Sequence, residues 1–349
     1  MKDRLIVFDM DGVLIDVSAS YRNVVRKTAE IFLGFLKNAE LLPKPLFSLA
    51  DLAMVKQSGG LNNDWDLTYL VVSLLLSIPG ITGVKSTNLK TAPDQPREPA
   101  EERRALEKIL RNADATNIAR YLGSDTPVVD YPLERLLTKR GKSILPVVRF
   151  FSRGDVGSGN TIKRIFQEVY LGGQLFRKTY RMEPLFYSGK GYIEEERLIL
   201  SAPLLNELTG MAILAIATGR PLGEAMFALE RFKLENIFSE VMGLEDCLAE
   251  EKRFFSETGK RISLGKPHPF MLDTLAERYK SSVEDFYFIG DMPDDMVAAS
   301  RSRFPFKGIG FIGNLELPEN RKKHLRELLL EKGAKMVIEE PSELKKIFE

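Results

Sequence analysis

Cysteine is almost missing from this chain. Cys247 is the only one in 349 residues, so there is no internal disulfide framework and no cysteine cluster to hold zinc or an iron-sulfur centre. Histidine is nearly as scarce: His268 falls in a loop pattern and His324 in a charged helical one, which argues against a histidine metal site. Neither charge sign is in excess. Lys and Arg number 50 against 49 Asp and Glu, a net of +1, so no global field draws the chain onto nucleic acid or an acidic membrane. Long hydrophobic runs are also lacking. The best candidate, Leu67 to Ile78, is about a dozen residues against the ~20 a spanning helix needs, and Pro79-Gly80 ends it. It reads as a buried helix. The opening run Leu5-Ile6-Val7-Phe8 is too short for a signal peptide and has acidic residues on both sides. The expectation is a cytoplasmic protein with no nucleic-acid partner and no membrane partner.

What is present is a change of pattern along the chain. Leu5 to Phe8 is a continuous apolar run that leads straight into Asp9-Met10-Asp11-Gly12, the pattern of a parallel strand buried on both faces. From Val17 to about Leu200 the periodicity is mostly helical, best over Tyr21 to Phe35 and Asp64 to Ile78. Residues 82–100, with Pro93, Pro96 and Pro99, read as a mobile connection. Beyond residue 200, helices and strands alternate: Ala202 to Thr209, Met211 to Ala217, Leu222 to Phe232, Glu240 to Met242, Pro269 to Tyr279, Phe286 to Ile289, Asp294 to Ser300 and Gly308 to Ile312. A final helix and Lys335 to Ile338 follow. This alternation predicts an α/β fold with a doubly wound parallel, Rossmann-like sheet. The core is assigned to residues 1–16 and 200–349, and 17–199 to a large inserted helical cap domain.

In such sheets ligands bind beyond the carboxyl ends of the strands. Four polar clusters occupy those positions: Asp9 with Asp11; Thr218-Gly219-Arg220; Gly265-Lys266-Pro267; and Gly290-Asp291 followed by Asp294 and Asp295. Carboxylates gathered at one edge repel one another unless a hard cation such as magnesium binds them or some are protonated. The Thr218 hydroxyl, the backbone N–H groups of the Gly219 turn and the Lys266 ammonium are groups that bind anionic oxygens. A metal site beside an anion cradle points to phosphoryl transfer. Plainer readings exist for each: Asp9 and Asp11 as turn residues with Gly12, Thr218 as a helix N-cap, Lys266 as a surface lysine. Their common position after strands, in order, favours the site. Asp295 goes with it, whereas Asp294 is assigned to capping the helix that Pro293 opens.

Phe8-Asp9-Met10-Asp11-Gly12-Val13-Leu14 resembles the first motif of the haloacid dehalogenase (HAD) superfamily. Thr218 stands at its second motif and Lys266 at its third. Gly290-Asp291 with Asp295 matches the GDxxxD form of the fourth. The insertion between the first two motifs resembles the helical cap of the subfamily that includes phosphoglycolate phosphatases and β-phosphoglucomutase. The resemblance implies a phosphatase acting on a small phosphorylated metabolite, with Asp9 as nucleophile and Asp11 as general acid and base. Magnesium would be held by Asp9, the main-chain carbonyl of Asp11, and Asp291. A phosphomutase needs the same four motifs and stays open, as does a non-catalytic regulatory protein on this fold. Substrate choice is assigned to Asn62, Asn63, Asp64 and Trp65, which offer hydrogen-bonding groups beside the chain's only tryptophan, although Asn62 to Asp64 also suit a helix N-cap.

Overall fold

Leu5, Ile6, Val7 and Phe8 have no solvent-exposed surface. They form β1 (Arg4–Phe8), which runs through the interior of a parallel sheet. The computed structural model describes residues 3–49, 52, 64–78, 99–123, 144–313 and 319–349. The further strands are β2 (Ile15–Asp16), β3 (Arg197–Leu198), β4 (Ile213–Ala217), β5 (Glu240–Met242), β6 (Asp285–Gly290), β7 (Phe306–Phe311) and β8 (Ala334–Ile338). Six of them form one sheet in the order β5-β4-β1-β6-β7-β8, with every neighbouring pair parallel. This is the doubly wound α/β arrangement that the alternation predicts.

The sheet is covered on both faces. Ile6 and Phe8 pack with residues of the helices Ala202–Thr209, Leu222–Arg231 and Pro341–Phe348. Leu5 and Val7 face the helices Leu244–Thr258, Phe270–Tyr279 and Pro293–Arg301. Each fully buried Leu, Ile, Val or Phe contributes about 1.5–3 kcal/mol, so the pleat of β1 alone ties two layers of helix to one sheet. The strand order places β4 on one side of β1 and β6 on the other, a topological switch point with its crevice beyond the strands' carboxyl ends.

Two helices have no counterpart in the sequence reading. Leu244–Thr258 buries only Cys247, too little for an apolar stripe, and Pro341–Phe348 is a short helix that buries only Leu344 and Phe348. The β2–β3 pair, antiparallel through Ile15 with Leu198 and Asp16 with Arg197, has two residues a side and no periodicity to detect.

The chain divides into two compact units, Met1–Val17 with Arg197–Glu349, and Ser18–Glu196. The α-helices among the described residues of the second are Tyr21–Leu33, Asp64–Leu76, Pro99–Leu110, Thr116–Leu122, Pro146–Phe151 and Thr161–Tyr180. Its core includes Tyr21 stacked on Tyr170 at 4.8 Å between centroids and Phe32 edge-on to Phe151 at 5.7 Å. The apolar helix Asp64–Leu76 is buried along most of its length, and no described helix is long and apolar enough to cross a membrane. The connection expected over 82–100 lies, up to residue 98, outside the described residues.

Within this unit Glu168, with no exposed surface, accepts from Arg164 Nε at 3.0 Å and from the N–H groups of Leu185, Phe186 and Tyr187 at 2.9, 2.7 and 3.0 Å. One carboxylate thus closes both a buried ion pair and a turn. Removing it strands a buried guanidinium and three amide donors. Glu168→Ala is expected to lower stability by about 3–5 kcal/mol, read as a reduced midpoint in urea unfolding.

Candidate active site

The strand register assembles the site. Phe8 pairs with Ile216 on one side and Ile289 on the other, so the residues that follow, Asp9, Thr218 and Asp291, emerge at one edge. The Asp9 N–H continues the ladder, donating to Ile289 O at 2.8 Å. Asp9 is 6% exposed, and its carboxylate accepts from the Met10 N–H at 2.7 Å. Lys266 reaches in from the loop before the helix Phe270–Tyr279 and sits 2.8 Å from Asp9 Oδ1 and 2.7 Å from Asp295 Oδ1. Asp295 uses its other oxygen to accept from the Met292 N–H at 3.0 Å. It therefore closes the first turn of the helix Pro293–Arg301, a task the sequence assigns to Asp294, while also holding Lys266.

Asp9, Asp291 and Asp295 each present an oxygen such that the three lie within 4.8 Å of one another. The donors are hard oxygens only, a set that suits a cation of the magnesium class and not a soft metal. Space for this cluster depends on two glycines. A Cβ on Gly12, which also has φ +79°, would run into the Asp291 carboxylate, and one on Gly290 would run into Asp295.

Electrostatics follows from this crowding. Burial pushes the Asp9 carboxyl from 3.8 up to about 7, against the pull of Lys266 and with the Asp295 and Asp11 charges adding to the rise. For Lys266, burial disfavours the ammonium, but Asp295 and Asp9 outweigh it and hold its pKa above the ordinary value.

Thr218 is buried on the turn after β4. Its N–H donates to Met242 O at 3.0 Å and its Oγ1 accepts from the Arg220 N–H at 3.2 Å, which leaves the hydroxyl proton to donate. Gly219 lies between them, with open space where a side chain would stand. The Asp11 carboxylate is not in the three-acid cluster. Its Oδ1 accepts from Arg220 Nε at 2.5 Å. Arg220 stands in the Thr218-Gly219-Arg220 cluster of the sequence, but its partner is 209 residues away, and no local pattern announces such a pairing. Cys247 is buried, donates weakly to Leu264 O at 3.6 Å and has its thiol pushed up to about 12 by burial, which leaves it inert at neutral pH.

Of the residues assigned to substrate choice, Asn62 and Asn63 lie outside the described residues. Asp64 and Trp65 belong to the second unit, in the first turn of the helix Asp64–Leu76. Lys163 Nζ lies 3.9 Å from the Trp65 ring centroid and 2.7 Å from Asp155 Oδ1.

A HAD-hydrolase-like family model matches residues 263–303, which carry Lys266, Asp291 and Asp295. That segment holds two of the four strand-end clusters, those of Lys266 and of Asp291 with Asp295. No curated protein matches its sequence. Among solved structures, a structural-genomics target is 21% identical, covering 99% of this chain and 98% of that one at a TM-score of 0.62. Phosphatase Tt82 from Thermococcus thioreducens is 19% identical, with 92% and 98% covered and a TM-score of 0.49. A putative phosphoglycolate phosphatase from Lactobacillus delbrueckii subsp. bulgaricus is 14% identical, with 100% and 99% covered and a TM-score of 0.48. At 21% identity the first of these likenesses is one of fold.

The raised Asp9 pKa has a consequence for stability. Because its folded value of about 7 exceeds the unfolded 3.8, the neutral carboxyl is favoured on folding. That contribution is present in full below pH 3.8 and lost as pH rises through about 7. In EDTA, Asp9→Asn is therefore expected to melt above the parent at pH 8 and to close that gap toward pH 4, measured by thermal unfolding across pH. An identical gap at both pH values would contradict the assignment.

Proposed function

We propose that this protein is a magnesium-dependent phosphomonoester hydrolase that forms an aspartyl-phosphate on Asp9 and acts on a small phosphorylated metabolite. One observation carries the reading: Asp9, the residue at the centre of the carboxylate group, is held against Lys266 at 2.8 Å, on the edge where Thr218 also emerges. A nucleophilic carboxylate with cationic and hydroxyl donors beside it is equipped for an incoming phosphoryl group.

In this reading Asp9, the Asp11 main-chain carbonyl and Asp291 would hold a magnesium ion, with Asp295 completing the acidic group. When bound, such an ion would supply positive charge that offsets the carboxylates and the phosphoryl oxygens. Thr218, the Gly219 N–H and Lys266 bind those oxygens and keep phosphorus in line with Asp9. Asp9 attacks phosphorus as the ester bond breaks. Asp11 gives a proton to the departing oxygen, then takes one from the water that cleaves the acyl phosphate. Lys266, fixed by Asp295, is the positive charge that lets an anionic nucleophile and an anionic substrate share the site.

Asp9→Asn is nearly isosteric and removes the nucleophile and a metal-binding charge together. Turnover of p-nitrophenyl phosphate is expected to fall by at least about a thousandfold, and the parent should lose activity in excess EDTA and regain it with magnesium. Activity undiminished in EDTA, or an Asp9→Asn protein near the parental rate, would sink the mechanism. A requirement for a sugar bisphosphate would identify a phosphomutase.

Substrate choice we assign to the inserted helical unit, with Trp65 as its flat apolar surface. Trp65→Ala is expected to lower kcat/KM for the physiological phosphate ester well beyond its effect on p-nitrophenyl phosphate. Equal losses on both, alongside a lower melting temperature, would return Trp65 to a packing role with Lys163.

A further inference from the structure

Arg220 is 2% exposed, and a guanidinium, which cannot shed its proton, is stable there only against a carboxylate and hydrogen-bond acceptors. Asp11 supplies the carboxylate. Arg220 Nε lies 2.5 Å from Asp11 Oδ1, and a terminal guanidinium nitrogen pairs with the same oxygen. The base of the arginine is fixed as well: its N–H donates to Thr218 Oγ1 at 3.2 Å and its carbonyl accepts from the Leu244 N–H at 2.8 Å. The Asp11 side chain remains 31% exposed. A buried, anchored fork therefore grips one oxygen of a carboxylate that is otherwise open.

We propose that Arg220 is the positioning residue for Asp11, holding Oδ1 so that the carboxyl keeps one orientation and Oδ2 is the oxygen that exchanges the proton. The inference rests on the phosphatase reading above. In the first half-reaction the Asp9–phosphorus bond forms as the ester P–O bond breaks; the electron pair stays on the leaving oxygen, which takes the proton from Asp11 Oδ2. In the second, water attacks phosphorus and gives a proton to Oδ2 as the Asp9–phosphorus bond breaks. Both transfers need Oδ2 within hydrogen-bond reach of a different oxygen. A carboxyl free to rotate would satisfy that geometry only part of the time, and orientation of this kind carries much of an enzyme's rate. Lysine cannot substitute, because one ammonium lacks the planar fork that approaches a single oxygen from two nitrogens.

The test is a comparison of kcat/KM, with magnesium, for 2,4-dinitrophenyl, p-nitrophenyl and phenyl phosphates. These leaving groups need a proton increasingly in that order, and kcat/KM reports the steps through the first irreversible one. Arg220→Lys, Arg220→Ala, Asp11→Asn and the Arg220→Lys/Asp11→Asn double variant are measured against the parent. Arg220→Lys is expected to lose about a hundredfold on phenyl phosphate, the low end for general acid catalysis, and little on 2,4-dinitrophenyl phosphate. Added to Asp11→Asn it should cost nothing more, since the two act as one unit. If Arg220→Ala fails to fold, Arg220→Lys, which retains the charge, carries the comparison. Equal losses on all three esters, or losses that add in the double variant, would mean a structural ion pair and overturn the proposal. A parent that turns over none of the esters and acquires no phosphoryl group on Asp9 would overturn the phosphatase reading and this proposal with it.

Discussion

The ammonium of Lys266 allows two carboxylates to occupy one buried space. Asp9 and Asp295 each lie within 2.8 Å of it, and without that charge their mutual repulsion in a poorly solvated site would have to be met by protonation or by opening to water. Much of the local architecture serves this contact. The helix Pro293–Arg301 delivers Asp295 from its first turn, where the same carboxylate also accepts from Met292 N–H. Gly290 and Gly12 leave the room that Asp295 and Asp291 take up. One lysine thus couples the end of β1 to the end of β6, two strands already paired in register.

The sheet explains why these groups meet. In a parallel sheet all strands end on the same side, so an acidic residue after β1, a hydroxyl after β4 and a second acidic residue after β6 converge without any contact between them in sequence. The placement of β1 between β4 and β6 makes it the switch point. Asp9 is the residue that leaves it. Burial raises the Asp9 pKa to about 7, with the Asp295 and Asp11 charges adding to the rise against the pull of Lys266.

The helical unit is built on other terms. Its described core stacks Tyr21 against Phe166 and Tyr170, with Phe166 tilted against Tyr170, and Glu168 satisfies Arg164 and three backbone amides at once. Satisfying a buried carboxylate this completely is what keeps it from being a liability.

The local pattern of the chain carried most of the fold. A strand buried on both faces must be continuously apolar, and a parallel crossover must alternate helix with strand, so Leu5 to Phe8, Ala202 to Thr209 and Glu240 to Met242 were legible from residue type alone. Asp9, Thr218, Lys266 and Asp291 were legible as candidates for the same reason, since strand ends are predictable and polar residues there are few. The helix Leu244–Thr258, which buries one side chain along its length, and the two-residue β2–β3 ladder lacked the periodicity that such reading needs. Asp295 doing two tasks, the gap left by Gly12 for Asp291, and Arg220 gripping Asp11 belong to tertiary structure alone. Each depends on distance and direction between side chains far apart in the chain, and a hydrogen bond is decided by tenths of an ångström that residue order does not encode locally.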